Sequence, residues 1–290
     1  MTGSPLRRPD ALAAIEVLTP ARVVVTDVHQ EVVTQAAHTI QANLRAPHTV
    51  QVEGLVGDLG EPFLARHVPC DVLYENLPNI PLPAGRDLFR SHHSAHFVQD
   101  TGEAVPPHGA EDLLGLHWCL LRQAVLLLTT TGHLLCAIGC RRPLAALLAL
   151  PHAAGCNSPL LLYTWKIQAE ALEVVQGYAA HQRRGGRPFH FYHVAALERA
   201  FGPQPLVTST AQALALERAL LSEAVNAEAA LHLVECRCPV GPYRGGAGGD
   251  TPPPATTVAP GRSCAAPGAL RFILGPRAVR AEPGGARVGG

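Results

Sequence analysis

Short β-branched runs alternate with longer segments of helical periodicity over roughly the first 165 residues, and this alternation constrains the fold most strongly. Residues 22–26, 49–56 and 71–75 have the composition of buried or half-buried strands. Between the first two runs, residues 29–44 carry apolar side chains at helical spacing. A helix between successive strands is the usual connection in a parallel sheet. The sequence therefore predicts an α/β fold with a doubly wound, mostly parallel sheet.

The rest of the chain continues this pattern and then changes composition. Further helices are predicted at 111–128, 143–155, 168–182 and 211–223, a turn at 129–132, and strands at 133–138, 160–165 and 229–236. Residues 241–290 contain 20 glycines and prolines, more than a packed domain usually has. We therefore expect one α/β domain over residues 1–240 and a disordered Gly/Pro-rich tail over residues 241–290.

Charge and cysteine usage exclude several classes of partner. Lys+Arg and Asp+Glu are equal at 23 each, which argues against binding to nucleic acid or to an anionic membrane. No apolar run reaches the roughly 18 residues of a membrane span. The eight cysteines form no C-x-x-C pair, so reduced thiols are expected. These features predict a cytoplasmic protein, and they leave its oligomeric state unknown.

The stretch 71–81, Asp-Val-Leu-Tyr-Glu-Asn-Leu-Pro-Asn-Ile-Pro, predicts a strand that stops at a polar turn stiffened by proline. In open α/β sheets, chemistry is located at the carboxyl ends of the strands. Asn76 would project a carboxamide there, with the Leu77 carbonyl held beside it by Pro78, and this pair of acceptors suits an N–H₂ group. Glu75 and Tyr74 are weaker candidates for accepting a proton. The alternative is a strand-ending loop in which asparagine serves only the turn geometry.

Two acids follow earlier strands in the same way. Asp27 ends the first predicted strand, where a carboxylate can accept hydrogen bonds from two ribose hydroxyls. Its alternative role is a helix N-cap. Asp58 lies just past the second strand, where it can accept from an adenine amino group, and its alternative role is an ordinary turn residue.

In this order, the motifs resemble the class I S-adenosylmethionine-dependent methyltransferases, and most closely the release-factor glutamine methyltransferase group and its small-domain relatives. The resemblance is carried by Arg-Val-Val-Val-Thr-Asp at 22–27, Ala-Asn at 42–43, Gly-Asp at 57–58, Asn-Leu-Pro-Asn at 76–79 and Thr-Gly-His-Leu-Leu at 131–135. It implies a Rossmann-like methyltransferase fold and transfer of a methyl group from S-adenosyl-L-methionine to an amine or amide nitrogen of a small molecule or protein.

The resemblance also assigns roles to these residues. Asp27 would hold the cofactor ribose and Asp58 the adenine, while Asn76 would contact both the cofactor and the substrate nitrogen. Leu77, Pro78 and Asn79 would complete the catalytic turn. Because Asn79 stands where this family usually has an aromatic ring, a nucleobase substrate is disfavoured.

The family's first strand and glycine-rich loop should lie about 20 residues before Asp27. Only Gly3, in Thr-Gly-Ser, lies near that place, so the expected domain is incomplete at its amino-terminal side and Gly3 is the one candidate for the loop. An alternative function is therefore a catalytically inactive relative that has lost cofactor binding. A nicotinamide-dependent dehydrogenase would also need G-x-G-x-x-G, which is absent.

A histidine cluster, His92, His93 and His96, leaves a third alternative, a metal-dependent hydrolase. A zinc site needs three or four converging ligands, and no H-E-x-x-H pattern accompanies these histidines. We expect loop histidines on a lid over the substrate, and no metal site.

Overall fold

The computed structural model describes residues 9–45, 49–67, 69–81, 96–97, 105–156, 162–165, 171–203, 206–235 and 269–273. The strands in this part of the chain are β1 Arg22–Asp27, β2 Gln51–Val56, β3 Cys70–Glu75, β4 Ile80–Pro81, β5 His96–Phe97, β6 Leu128–Cys136, β7 Tyr163–Thr164, β8 Leu206–Val207 and β9 Ala269–Ile273. The α-helices are α1 Pro9–Leu18, α2 Gln30–Ala42, α3 Glu61–Leu64, α4 Pro107–Glu111, α5 Gly115–Leu127, α6 Leu144–Ala153, α7 Ala171–Arg183, α8 Val194–Phe201, α9 Thr210–Leu220 and α10 Ala227–Glu235.

The largest sheet has five strands in the order β2-β1-β9-β3-β6, and every pairing in it is parallel. Two small sheets accompany it, a parallel pair of β4 with β5 and an antiparallel pair of β7 with β8. The chain is thus a mixed α/β protein with parallel sheets, which confirms the α/β part of the fold prediction.

Both faces of strand β1 are buried, as its run of valines predicts. Val23 and Val25 point to one side, where Ala36 and Ile40 of α2 cover them. Val24 points to the other side and joins the larger core, which includes residues of α3, α5, α7 and α10. Helices therefore pack on both faces of the sheet.

The prediction of a disordered tail over residues 241–290 is wrong for five residues, which form strand β9. Ala269–Ile273 pairs with β1 on one side and with β3 on the other, so it occupies the centre of the sheet. The central position that the sequence left without a strand is filled from far downstream. The sequence does not reveal this strand for two reasons. The residues around it are rich in glycine and proline, and its position depends on two partners distant in sequence. The other residues of 241–290 lie outside the described part of the chain.

Three local predictions also differ from the structure. Residues 229–236 were predicted as a strand, but α10 runs over Ala227–Glu235, because alanine and leucine favour a helix and Ala227, Ala230 and Leu231 share one buried face. The helix predicted at 111–128 begins only at Gly115, as α5, because Leu113 adopts a left-handed φ of 60° between α4, which ends at Glu111, and α5.

The predicted turn at 129–132 lies inside strand β6. Its residues form an irregularity, since Cys70 pairs with Leu128 while Val72 pairs with His133. In the part of the chain that the structure describes, no helix is both long enough and apolar enough to cross a bilayer.

Candidate functional site at the carboxyl edge of the sheet

The strand register brings the predicted polar residues to one edge of the sheet. Thr26 and Glu75 both pair with Ile273, from opposite sides of β9. Asp27 and Asn76 each follow one residue later, so they flank the carboxyl end of β9. Two strand spacings of about 4.8 Å correspond to about 10 Å between the positions of Thr26 and Glu75 that precede them. This edge is where ligands bind in open parallel sheets.

Asp27 is anchored in a tight turn at the end of β1. The residue is 3 % exposed, and its Oδ1 accepts a hydrogen bond from the His29 backbone N–H at 2.9 Å. His29 is itself the N-cap residue of α2 and makes no side-chain cap there. Asp27 therefore lies two residues before the helix cap, and the alternative in which it is the N-cap is wrong.

Asp58 lies in a turn fastened to the end of β1. The Asp58 carbonyl accepts from the Glu61 N–H at 2.9 Å, and Leu59 has a positive φ of 48°. The Thr26 hydroxyl donates to the Leu59 carbonyl at 3.1 Å, and the Gly57 N–H donates to the Asp27 carbonyl at 3.0 Å. The turn thus holds Asp58, which is half-buried, beside the end of β1.

The Asn-Leu-Pro-Asn turn after β3 exposes one polar side chain and buries its neighbours. Asn76 is exposed, whereas Leu77 and Pro78 are buried. The Leu77 N–H donates to Oε2 of Glu75 at 2.8 Å, which closes the turn on the strand before it. A rigid turn that presents a single carboxamide is suited to orient a hydrogen-bonding ligand.

Glu75 is the centre of a buried hydrogen-bond cluster beneath this turn. His117 of α5 places Nδ1 at 2.8 Å from Oε1 of Glu75, and the two side chains are 1 % and 0 % exposed. Cys136 is the register partner of Glu75 on the adjacent strand β6. His117 Nδ1 and the Leu77 N–H therefore lie on the two oxygens of one carboxylate.

The two other members of the cluster have distinct electrostatic features. Although Cys136 is an exposed residue, protein atoms desolvate its thiol, and this effect, followed by the Glu75 charge, raises the thiol pKa well above its usual range. His117 Nε2 is buried and has no hydrogen-bond partner among the described residues. Because its thiol pKa is raised, Cys136 lacks the low pKa of a nucleophilic cysteine.

The far side of the Asn-Leu-Pro-Asn turn is held by α7. The Tyr178 hydroxyl donates to the Asn79 carbonyl at 2.8 Å, and Arg141 Nη1 lies 3.3 Å from the same hydroxyl. Burial raises the pKa of Tyr178, although Arg141 opposes this effect. A Cβ on Gly177 would lie 2.1 Å from the Pro81 carbonyl oxygen, so the backbone of α7 contacts the chain that leaves the turn.

Of the remaining predicted residues, Gly3, His92 and His93 lie outside the described residues. His96 lies on β5, where its backbone pairs with Ile80 just after the Asn-Leu-Pro-Asn turn. The described residues include no group of three or more side chains that could hold a metal ion.

Sequence reasoning missed His117, Tyr178 and Arg141. A single histidine within a helical apolar segment, 42 residues from its carboxylate partner, carries no local signal. Tyr178 carries no local signal either, because its partner is a backbone carbonyl 99 residues away.

A separate cavity of about 380 Å³ lies beside the amino end of β1, at the opposite edge of the sheet. Leu12 and Ile15 of α1 and Leu44 and Val50 around β2 line it, and Glu16 and Arg45 form an ion pair at 3.1 Å there. It is remote from Asp27 and Asn76 and forms no part of the candidate site.

Searches against protein-family models, the curated proteins and the solved structures found no significant match to this chain.

Proposed function

We propose that the chain is an S-adenosylmethionine-dependent methyltransferase that acts on an amine or amide nitrogen of a small molecule or protein. One observation carries the proposal. Asp27 and Asn76 lie on either side of β9 at the carboxyl edge of the sheet, each one residue after a residue that pairs with Ile273. The sheet order is also consistent with it. If β9 counts as the first strand, β2-β1-β9-β3-β6 becomes 3-2-1-4-5, the order found in dinucleotide-binding sheets.

The residue types at this edge are those that a nucleoside ligand requires. The Asp27 carboxylate, which accepts from the His29 N–H, would also accept from the two vicinal hydroxyls of the ribose. Asp58, in the turn that follows the next strand outward, would accept from an exocyclic amino group. When bound, S-adenosylmethionine supplies an activated methyl group that carries its own leaving group.

The protein's part in the reaction is then to align and desolvate the acceptor nitrogen. The Asn76 carboxamide oxygen and the Leu77 carbonyl accept from the substrate N–H groups and direct the nitrogen lone pair. Glu75 is fully buried and its two oxygens contact the Leu77 N–H and His117 Nδ1, so it holds the turn and does not receive the substrate proton. Tyr74 is not expected to receive the substrate proton either, since its hydroxyl donates to Asp10 Oδ2 at 3.0 Å.

Calorimetry with S-adenosylhomocysteine tests this proposal. We expect saturable binding by the native chain and at least tenfold weaker binding by Asp27→Asn, because a charge-assisted hydrogen bond contributes about 1.5–3 kcal/mol. Asp71→Asn is the matched control, because it alters a half-buried acid at the opposite end of β3. Equal losses in both variants would contradict the role given to Asp27.

The inactive relative remains a second candidate because Asp27 is almost wholly covered. A ribose can reach it only if neighbouring groups move. If calorimetry detects no binding of S-adenosylhomocysteine at millimolar concentration, and circular dichroism shows that the chain is folded, this candidate is favoured over the enzyme.

A further inference from the structure

The two halves of the main sheet are joined through β9. Strand β1 pairs with β2 and β9, and strand β3 pairs with β6 and β9, but β1 and β3 do not pair with each other. Every other strand of this sheet lies within residues 22–136. Those residues therefore build two parallel pairs with a gap one strand wide between them.

The gap has the character of a binding slot for an extended backbone. Its walls are the facing edges of β1 and β3, and residues 269–273 form five register pairs with the first and four with the second. Val23, Val24, Val25 and Thr26 are at most 1 % exposed. Because backbone groups in so buried a strand need partners, an empty slot is strongly unfavourable.

The covalent connection does not determine which segment fills the slot. Residues 236–268 separate β9 from α10, and a chain of 33 residues can span up to about 110 Å. Five strands at about 4.8 Å each are only about 24 Å wide. The selection of residues 269–273 must therefore come from the slot itself.

We propose that the gap between β1 and β3 is a binding site for one parallel β-strand, and that residues 269–273 are its ligand, supplied by the same chain. This is strand addition on two edges at once, in which backbone hydrogen bonds provide the affinity. It follows that the segment can be exchanged for a separate peptide of the same sequence. Because Asp27 and Asn76 flank the end of β9, occupation of the slot also sets their separation.

The first experiment uses the full chain with Arg271→Pro, since proline lacks the N–H that a central strand needs. Arg271→Ala is the control, because it keeps that N–H. We expect faster amide exchange in β1 and β3 of the proline variant only, with protection retained in α5. A fluorescent peptide of residues 267–275 should bind the proline variant in a 1:1 ratio and restore protection, whereas a scrambled peptide should not.

The same peptide should bind the native chain at least tenfold more weakly, because the tethered strand competes at an effective concentration near millimolar. Unchanged exchange in the proline variant would overturn the proposal. So would loss of protection throughout the molecule that the peptide does not reverse, because β9 would then be an inseparable part of the fold.

A second variant avoids dependence on the folding of the proline chain. A site-specific protease sequence inserted after Asp250 allows the folded chain to be cut between α10 and β9. We expect the fragment from 251 onward to co-elute with the remainder and to be displaced by excess 267–275 peptide. Immediate separation after cleavage, or failure of the peptide to displace the fragment, would contradict the proposal.

Discussion

His117 Nδ1 lies 2.8 Å from Glu75 Oε1, in a pair of side chains that are almost completely removed from solvent. Glu75 in turn accepts from the Leu77 N–H, so the pair connects helix α5 to the turn that exposes Asn76. The conformation of this turn thus depends on a residue that no ligand would touch.

The first prediction concerns this pair. His117→Leu removes one donor from a buried carboxylate and should lower the free energy of unfolding by about 3 kcal/mol. The double variant Glu75→Met/His117→Leu should be less destabilised than the sum of the single variants, because it leaves no uncompensated buried charge. Urea denaturation measures both quantities. His38→Leu, on the exposed face of α2, is the control and should change stability by less than about 0.5 kcal/mol. Strict additivity would show that the two side chains are not coupled.

The second prediction concerns the other support of the turn. Tyr178→Phe keeps the ring packed against Phe189, whose centroid is 4.6 Å away, but removes the hydrogen bond to the Asn79 carbonyl. We expect a loss of about 1 kcal/mol in urea denaturation. Tyr74→Phe deletes the same atom from a solvent-exposed hydrogen bond to Asp10 and should cost less. Equal effects of the two changes would argue against a special role for Tyr178.

The third prediction uses the close approach of α7 to the chain after the turn. Alanine normally favours a helix over glycine by about 1 kcal/mol. Gly177→Ala should nevertheless destabilise the protein by roughly 1–3 kcal/mol, because the new methyl group would overlap the Pro81 carbonyl oxygen. Gln176→Ala, one position earlier on the same helix, tests ordinary helix propensity. A thermal melt in which Gly177→Ala is the more stable protein would rule out this contact.

The fourth prediction is a pH dependence centred on Glu217. Burial raises the pKa of its carboxyl group above the usual 4.5, although the Leu144 N–H at 2.7 Å opposes the shift. The folded state therefore binds this proton more tightly than the unfolded state, and stability declines as pH rises from about 4.5 to the raised pKa. Glu217→Gln retains an acceptor for Leu144 but does not titrate. Denaturation series at several pH values measure the free energy of unfolding of both proteins. The Glu217→Gln variant should gain stability relative to the native chain as pH rises from about 4.5 to the raised pKa. A difference between the two proteins that does not change with pH would contradict the assignment.

Strands β1, β2 and β3 could be predicted from the sequence because their signals are local. Runs such as Val-Val-Val before Asp27 combine β-branched side chains with burial on both faces, and such residues rarely have another use. The placement of Asp27, Asp58 and Asn76 at one edge follows from parallel strand order. Their roles in binding and catalysis stay predictions.

The parts that were missed depend on partners distant in sequence. Strand β9 has five residues within a segment rich in glycine and proline, and only β1 and β3 determine its position. Helix α10 was misassigned because a short apolar run fits both helical and strand periods. His117 needs Glu75 to become informative, and that contact exists only after α5 packs on the sheet.

The position of β9 also affects how the protein can be made. A ribosome that adds 5–20 residues per second needs on the order of 10 s to proceed from Cys136 to Ala269. Throughout that time, the nascent chain carries two open strand edges at what becomes the middle of its sheet, and such edges pair readily with other chains. If the pairs β1–β2 and β3–β6 form before residue 273 has emerged, their inner edges would need to be shielded until then.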